Sequence, residues 1–332
     1  MADIVLGLAS SHGPMLGSPV DDFLKHAERD IANNAHLDLD GVELTYQDLL
    51  EKADPSIAEE LLPNVVSNKV AGCQAGIARL AETLAAEKPD VVVIIGDDQH
   101  EQFRSDNQPA VLIYSGETIE NGVLPLPATA PEYWKTARSQ YHETDHPRDY
   151  PVAASFARYL TESLVDDGFD ISHSEKLPRA TGEGHAYGFV HQRLMTDFTA
   201  PIVPVMLNTY FPPNQPTPTR CFALGQALTK ATQAWPEDIR VAFVASGGLS
   251  HFTVDPDLDA RVMDAFLARD GEVLGRIPKH RLNSGNSEIR NWITVAGACA
   301  GLAPVWHDYI PCYRTPAGTG CGMGFAILGS AP

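Results

Sequence analysis

The segment VVVIIGDDQHEQF, Val91 to Phe103, sets the tightest limit on what this chain can fold into. Five consecutive branched apolar residues suit neither an amphipathic helix nor a strand with one wet face. They ask for a strand covered on both sides, as in a parallel sheet held between two helix layers. Four more runs share this character: IVLGLA (4–9), AVLIYS (110–115), IVPVML (202–207) and VAFVAS (241–246). Between them, residues 71–88, 151–168, 220–235 and 258–270 carry apolar side chains at helical spacing. Strands alternating with helices predict the α/β class, with a mixed, mostly parallel central sheet in a single-domain α/β/α sandwich spanning 1–332. Residues 21–70 break the rhythm. They are acidic and helical in propensity, and read as a helical insertion after the first strand: a lid, an oligomer contact or a solvated excursion.

Charge narrows the function. The chain has 24 Lys and Arg against 43 Asp and Glu, a net charge of -19. It has no cationic surplus to neutralise phosphates, so nucleic acid and anionic membranes are not expected partners. No apolar run approaches the ~20 residues of a membrane span. The opening MADIVLGL lacks the basic flank of a secretion signal. The five cysteines form no CxxC pair, which suggests reduced thiols and a cytoplasmic location.

In open α/β sheets, ligands gather beyond the carboxyl ends of the strands. Here IVLGLA runs into SSHGP with His12, and VVVIIG into DDQHEQF with Asp97, Asp98, His100 and Glu101. IVPVML runs into NTYFPP with Asn208, Thr209 and Tyr210, and VAFVAS into GGLSHF with His251. Each group alone has a plain reading as a loop or turn residue; their coincidence at one rim is what points to a site. RATGEGHAYGFVHQRL adds His185, with His191 read as a helix-surface residue, and GNSEIRNW adds Glu288 in a first helical turn, where a carboxylate ordinarily caps. Two imidazoles and one carboxylate suit non-haem Fe(II), although the same set can hold zinc for hydrolysis. GxSxG, P-loop and helix-opening GxGxxG motifs are absent.

SSHGP, DDQHEQF, TYFPP followed by RCFALGQAL, GGLSHF and GNSEIRNW together resemble the LigB-type class III extradiol ring-cleaving dioxygenases. Within that family the chain is most similar to the one-subunit branch acting on 3-O-methylgallate and related lignin-derived catechols. The resemblance implies a LigB-like sandwich and an Fe(II) site made by His12, His100 and Glu288, the last replacing the capping reading. The family pattern has Asp-His at the second strand end, whereas Gln99 separates Asp98 from His100 here. It further implies His185 as acid–base catalyst and His251 as a catalytic or substrate-contacting histidine, with Tyr210 and Thr209 as candidate substrate contacts. The implied partners are a small aromatic catechol, O₂ and a second copy of the chain in a homodimer. The expected substrate carries a carboxylate, as in 3-O-methylgallate, gallate, protocatechuate or a biphenyl relative, and Arg179, Arg290, Tyr210, Thr209 and Ser10 are candidate donors to it. A zinc hydrolase on the same residues and a non-catalytic metal-binding relative are the competing readings.

Overall fold

The computed structural model describes residues 2–124 and 126–330. In chain order the strands are β1 (Asp3–Ser10), β2 (His36–Leu37), β3 (Glu43–Leu44), β4 (Val91–Asp97), β5 (Val111–Tyr114), β6 (Thr118–Asn121) and β7 (Arg148–Pro151). They continue as β8 (Ser172–Ser174), β9 (Ile202–Leu207), β10 (Arg240–Ser246), β11 (His251–Thr253), β12 (Ala303–Tyr313) and β13 (Thr319–Gly329). The helices used below are α1 (Val20–Phe23), α2 (Ala27–Ala32), α3 (Tyr46–Lys52), α4 (Pro63–Glu87), α5 (Glu132–Ser139), α6 (Ala154–Asp166), α7 (His185–Phe189), α8 (Pro218–Ala234), α9 (Pro256–Ala268), α10 (Gly271–Gly275) and α11 (Ile289–Ala298).

One sheet organises these elements, in the order β11-β13-β1-β10-β4-β9-β5-β8, with β12 on the outer side of β13. Its centre, β1-β10-β4-β9, is parallel. Strand β5 runs antiparallel to β9, and β13 antiparallel to β1. This is the mixed, mostly parallel α/β arrangement expected from the alternating pattern.

Every residue of β4 is buried, and its alternation divides the core. Val91, Val93 and Ile95 pack with Phe156 and Leu160 of α6, Leu224 and Leu228 of α8, and Trp292 of α11. Val92 and Ile94 face the other layer, with Ile77, Leu80 and Leu84 of α4 and Phe189 of α7. Each such side chain contributes roughly 1.5–3 kcal/mol when fully buried, so a continuous apolar run is what a two-faced strand requires.

Three features differ from the sequence expectation. Helix α4 begins at Pro63, not near 71, because proline at the first helical position loses no intrahelical bond and presets φ. The C-terminal β12–β13 hairpin has no counterpart among the expected elements. Its inner strand, TGCGMGFAILG, is rich in glycine, which sequence rules count against a strand. The packing supplies the reason: a Cβ on Gly324 would lie 2.6 Å from Leu249 Cδ1. The segment 21–70 is a mixture of α1–α3, the short β2–β3 hairpin, a 3₁₀ turn over Pro55–Leu61 and the start of α4. It is not a solvated excursion. Asp30 is buried and takes Arg314 Nε at 2.8 Å and Nη2 at 3.1 Å, with the Thr319 hydroxyl donating at 2.6 Å. This ion pair pins the segment to β13 and to the loop before it.

Helices α8 and α11 cross so closely that a Cβ on Gly225 would sit 2.6 Å from the Ala298 nitrogen and drive into the Thr294 carbonyl. Gly225→Ala is expected to cost about 1–3 kcal/mol through forced separation of the two helices, measured as a lower urea midpoint. Gly301→Ala, with open space around the position, should leave the midpoint unchanged.

Candidate functional site

The parallel strands β1, β10, β4 and β9 are neighbours, so their carboxyl ends lie side by side along one rim. The residues following them, with the turn at Ser284–Glu288 and the start of α7, enclose a cavity of about 340 Å³. That falls within the roughly 300–1,000 Å³ typical of small-molecule sites. His12, Gln99, His185, Tyr210, His251 and Glu288 all line it.

His12 is buried, and its tautomer can be deduced. The Ser246 hydroxyl has one proton, which it donates to the Ala186 carbonyl at 2.6 Å. Its oxygen, 3.0 Å from His12 Nδ1, must therefore accept from Nδ1–H. Burial, the largest influence, together with the neighbouring His185 and His251, holds the His12 pKa below its usual value despite Glu288. The neutral ring then turns the lone pair of Nε2 toward Glu288 Oε2, 3.0 Å away.

Glu288 is ionised. Burial alone would raise its pKa, but the neighbouring His251 imidazole holds it well below the carboxylate range. The Gly248 N–H donates to Oε2 at 2.6 Å, and helix α11 takes no side-chain cap from Glu288. Asp97 completes the group. Its Oδ2 is buried without a hydrogen-bond partner, and burial followed by the Glu288 charge pushes its pKa well up. Donor atoms of His12, Asp97, His185 and Glu288 all lie within 4.8 Å of one another, a grouping that could hold a metal ion. Two lone pairs facing across 3.0 Å and an orphaned carboxylate oxygen are what a bound cation would reconcile.

His100 does not join this group. The Asp98 carboxylate accepts from the N–H of Gln102 at 2.7 Å and of Phe103 at 3.0 Å, coiling the chain tightly after β4. In that turn Gln99 reaches the cavity, its Nε2 3.0 Å from Glu288 Oε1 and 3.4 Å from His185 Nε2. His100 adopts φ 64°, and its ring stacks on Phe211 with centroids 3.5 Å apart. The expected second imidazole is thus replaced in space by an amide.

His185 opens α7 and is held by Glu101. Glu101 Oε2 lies 2.7 Å from Nδ1, and Oε1 takes the backbone N–H at 3.1 Å. Burial would lower the imidazole pKa, but the Glu101 charge and hydrogen bond overcome it and raise it to about 9. The preceding Gly184 has φ 87°, and a Cβ there would lie 2.8 Å from Glu101 Oε2, so this contact needs glycine twice over.

His251 directs Nδ1–H at the Leu249 carbonyl, 2.8 Å away, leaving Nε2 3.4 Å from Glu288 Oε1 and 3.5 Å from the Tyr210 hydroxyl. Thr209 is not in the cavity lining. It is buried, and its carbonyl accepts from Gln215 and Arg290. Arg290 is spent on backbone carbonyls, Arg179 on the Gln102 carbonyl and Asp106, and Ser10 on its neighbour's carbonyl. His191 is buried against Glu183, 2.8 Å away, and is not a surface residue.

Comparison with known proteins bears on this geometry. The family described as the catalytic LigB subunit of aromatic ring-opening dioxygenase matches residues 54–323, most of the chain. The chain belongs to the LigB family. Among similar curated proteins, a gallate dioxygenase of Pseudomonas putida is 30% identical over 187 residues, covering 51% of this chain and 54% of that protein. A 2,3-dihydroxyphenylpropionate/2,3-dihydroxicinnamic acid 1,2-dioxygenase of Comamonas testosteroni is 27% identical, covering 51% and 46%. One of the same description from Escherichia coli is 25% identical, covering 80% and 74%. The chain thus spans about half the length of the first two relatives. Among the described residues, no helix is long and apolar enough to cross a membrane.

Sequence reading assigned no role to Asp97, Gln99 or Glu101. The signal for Gln99 is Asp98 itself, an acid able to wind the residues after it by accepting their N–H groups. For Glu101 no local signal exists, because its partner lies 84 positions away. In metal-free protein, Glu101→Gln should lower the His185 pKa from about 9, read by ¹⁵N NMR titration of the ring. A raised folded pKa stabilises fully below the unfolded value of 6.5, and that benefit fades as pH climbs through about 9. Wild type should therefore lose its stability advantage over the variant across that window.

Proposed function

We propose that this LigB-family chain is an extradiol ring-opening dioxygenase, acting with a ferrous ion on a catechol that bears a carboxylate. The observation that carries the reading is the buried pair formed by the His12 Nε2 lone pair and the Glu288 carboxylate, 3.0 Å apart beneath an open cavity. The descriptions of the family and of the similar dioxygenases support it.

His12, Glu288 and Asp97 would hold the ion, with the Gln99 amide taking the position expected for a second imidazole. A ferrous ion in that place would supply a common binding point for the catechol oxygens and O₂ and a path for electrons between them. One imidazole with two carboxylates and an amide is an oxygen-rich donor set, better matched to Fe(II) or Mn(II) than to a zinc hydrolase.

The chain's own residues then divide the remaining work. Glu101 holds Nδ1–H of His185, so only Nε2 can exchange a proton with the cavity. That atom receives a phenolic proton as the catechol binds and returns one to oxygen as the ring opens. A cation beside it would lower its pKa toward neutrality, where both protonation states are accessible. Tyr210 stays a hydroxyl donor, because burial, followed by the Glu288 and Asp97 charges, pushes its pKa far up. With His251 it orients the substrate's oxygens over Glu288. Phe189, whose ring lies 6.1 Å from that of His12, helps keep water from the back of the site.

The test is a panel of catechols given to anaerobically purified protein with Fe(II), followed by O₂ uptake and the appearance of a yellow ring-opened product. His185→Gln should keep its iron, measured by metal analysis, while kcat falls by about 10²–10⁴. Glu288→Gln should lose both iron and turnover. Because His100 stands outside the cluster, His100→Ala should change activity by no more than about twofold, as for substitutions away from a site. Esterase or amidase activity with zinc, and no O₂ uptake with iron, would replace this reading with the hydrolase.

A further inference from the structure

The cavity carries a second chemical feature, at the end formed by α2 and α5. Arg29, Trp134 and Arg138 all line it. The Arg29 guanidinium carbon lies 4.1 Å from the Trp134 ring centroid, and that of Arg138 lies 5.8 Å from the same ring and 5.4 Å from Tyr141. Aromatic faces hold a guanidinium in place while leaving its N–H edge free.

The charges here are unspent. Arg29 makes no ion pair within 4 Å among the described residues, and it is exposed. Arg138 has only a loose approach to Glu101, 3.8 Å, and Glu101 is already committed to His185 at 2.7 Å. Its Nε is buried with no hydrogen-bond partner. Arg314, the third arginine of the cavity, is fully paired with Asp30. In a chain of net charge -19, Arg29 with no ion pair among the described residues and Arg138 with only the 3.8 Å approach to Glu101 present guanidinium donors to one cavity. Burying an unpaired guanidinium N–H is costly, and a bidentate carboxylate is its natural complement.

We infer that Arg29 and Arg138, seated on Trp134, form the subsite for the carboxylate of the aromatic substrate. This rests on the ring-opening reading for the identity of the ring, not for the presence of the anion site. It also gives the segment 21–70 a role in the site, since α2 delivers one of the two arginines and the Asp30–Arg314 pair fixes where α2 stands. Of the residues expected from sequence for this role, Arg179, Arg290, Thr209 and Ser10 have other partners, while Tyr210 lines the cavity beside His251.

The experiment separates the subsite from the reaction by using ligands that cannot be cleaved. Iron-loaded protein is titrated anaerobically with 3-hydroxybenzoate and with phenol, by calorimetry. Wild type should bind the acid at least tenfold more tightly, and Arg138→Gln and Arg29→Gln should each bring that ratio close to one. Arg138→Lys should restore part of the preference, since charge returns without the fork. Arg29 is exposed, so its variant keeps the test open should Arg138→Gln fail to fold. Equal affinities in wild type, or variants that weaken both ligands alike, would overturn the inference. Cleavage of 3,4-dihydroxybenzoate and catechol is assayed separately. If the acid preference depends on both arginines but neither compound is opened, the anion subsite stands and the ring-opening reading falls.

Discussion

Two buried atoms that repel one another govern the site. His12 Nε2 carries a lone pair because the ring proton sits on Nδ1, where it is donated to the Ser246 hydroxyl, and it faces a carboxylate oxygen at 3.0 Å. The fold has to hold them there. His12 follows β1, Ser246 ends β10, and Glu288 sits where a 3₁₀ turn gives way to α11. Strands β1 and β10 are paired through Ser10 and Ser246, so the imidazole and its orienting hydroxyl come from adjacent strand ends. The Gly248 amide and the Trp292 indole, the latter bonded to the Gly247 carbonyl at 2.8 Å, then tie Glu288 and α11 to the loop after β10. A rigid parallel sheet thereby supports an arrangement that would relax apart on a flexible loop.

Around this pair the other ionisable groups are sorted by their partners. Glu101 is held near 2 and His185 near 9, so at neutral pH they form a charged pair whose proton sits on the ring. Asp97, fully buried, with the Glu288 charge beside it and no donor at Oδ2, is pushed the other way. Carboxylates and imidazoles of one cavity thus differ widely in proton affinity, which is how a single pocket can keep one group as ligand and another as proton carrier. Arg29 and Arg138, over Trp134, bring positive charge to the lining of the same cavity.

Much of this was legible in the sequence because parallel strands announce themselves. The runs ending at His12, Asp97, Asn208 and His251 belong to the four central strands, and the fifth, 110–115, is the one that runs antiparallel to its neighbour β9. That explains why it alone brought no polar group to the rim. What could not be read depended on contacts between distant residues. The glycines of β13 look like loop residues until Leu249 and Trp292 are seen pressing on Gly324. Arg29 and Arg138 look like ordinary helix-surface charges, and Trp134 makes them a pair only once α2 and α5 meet at the cavity.

The difference between Gln99 and His100 shows how a single side chain off the site can decide its chemistry. Had β4 simply continued, alternation would have pointed residues 99 and 100 to opposite faces with no preference for either. Asp98 breaks that symmetry by binding two backbone N–H groups ahead of it, which winds the loop and commits residue 99 to the cavity. Residue 100 is left in the left-handed region at φ 64°, and stacking on Phe211 and the Arg104 bond to its carbonyl hold it there. Exchanging the two residues without altering Asp98 would put an imidazole into the cluster and a glutamine on Phe211. Which side chain enters the cavity is therefore set by the residue at 99 and by the carboxylate at 98, so a histidine nearby reaches the cluster only if the turn delivers it.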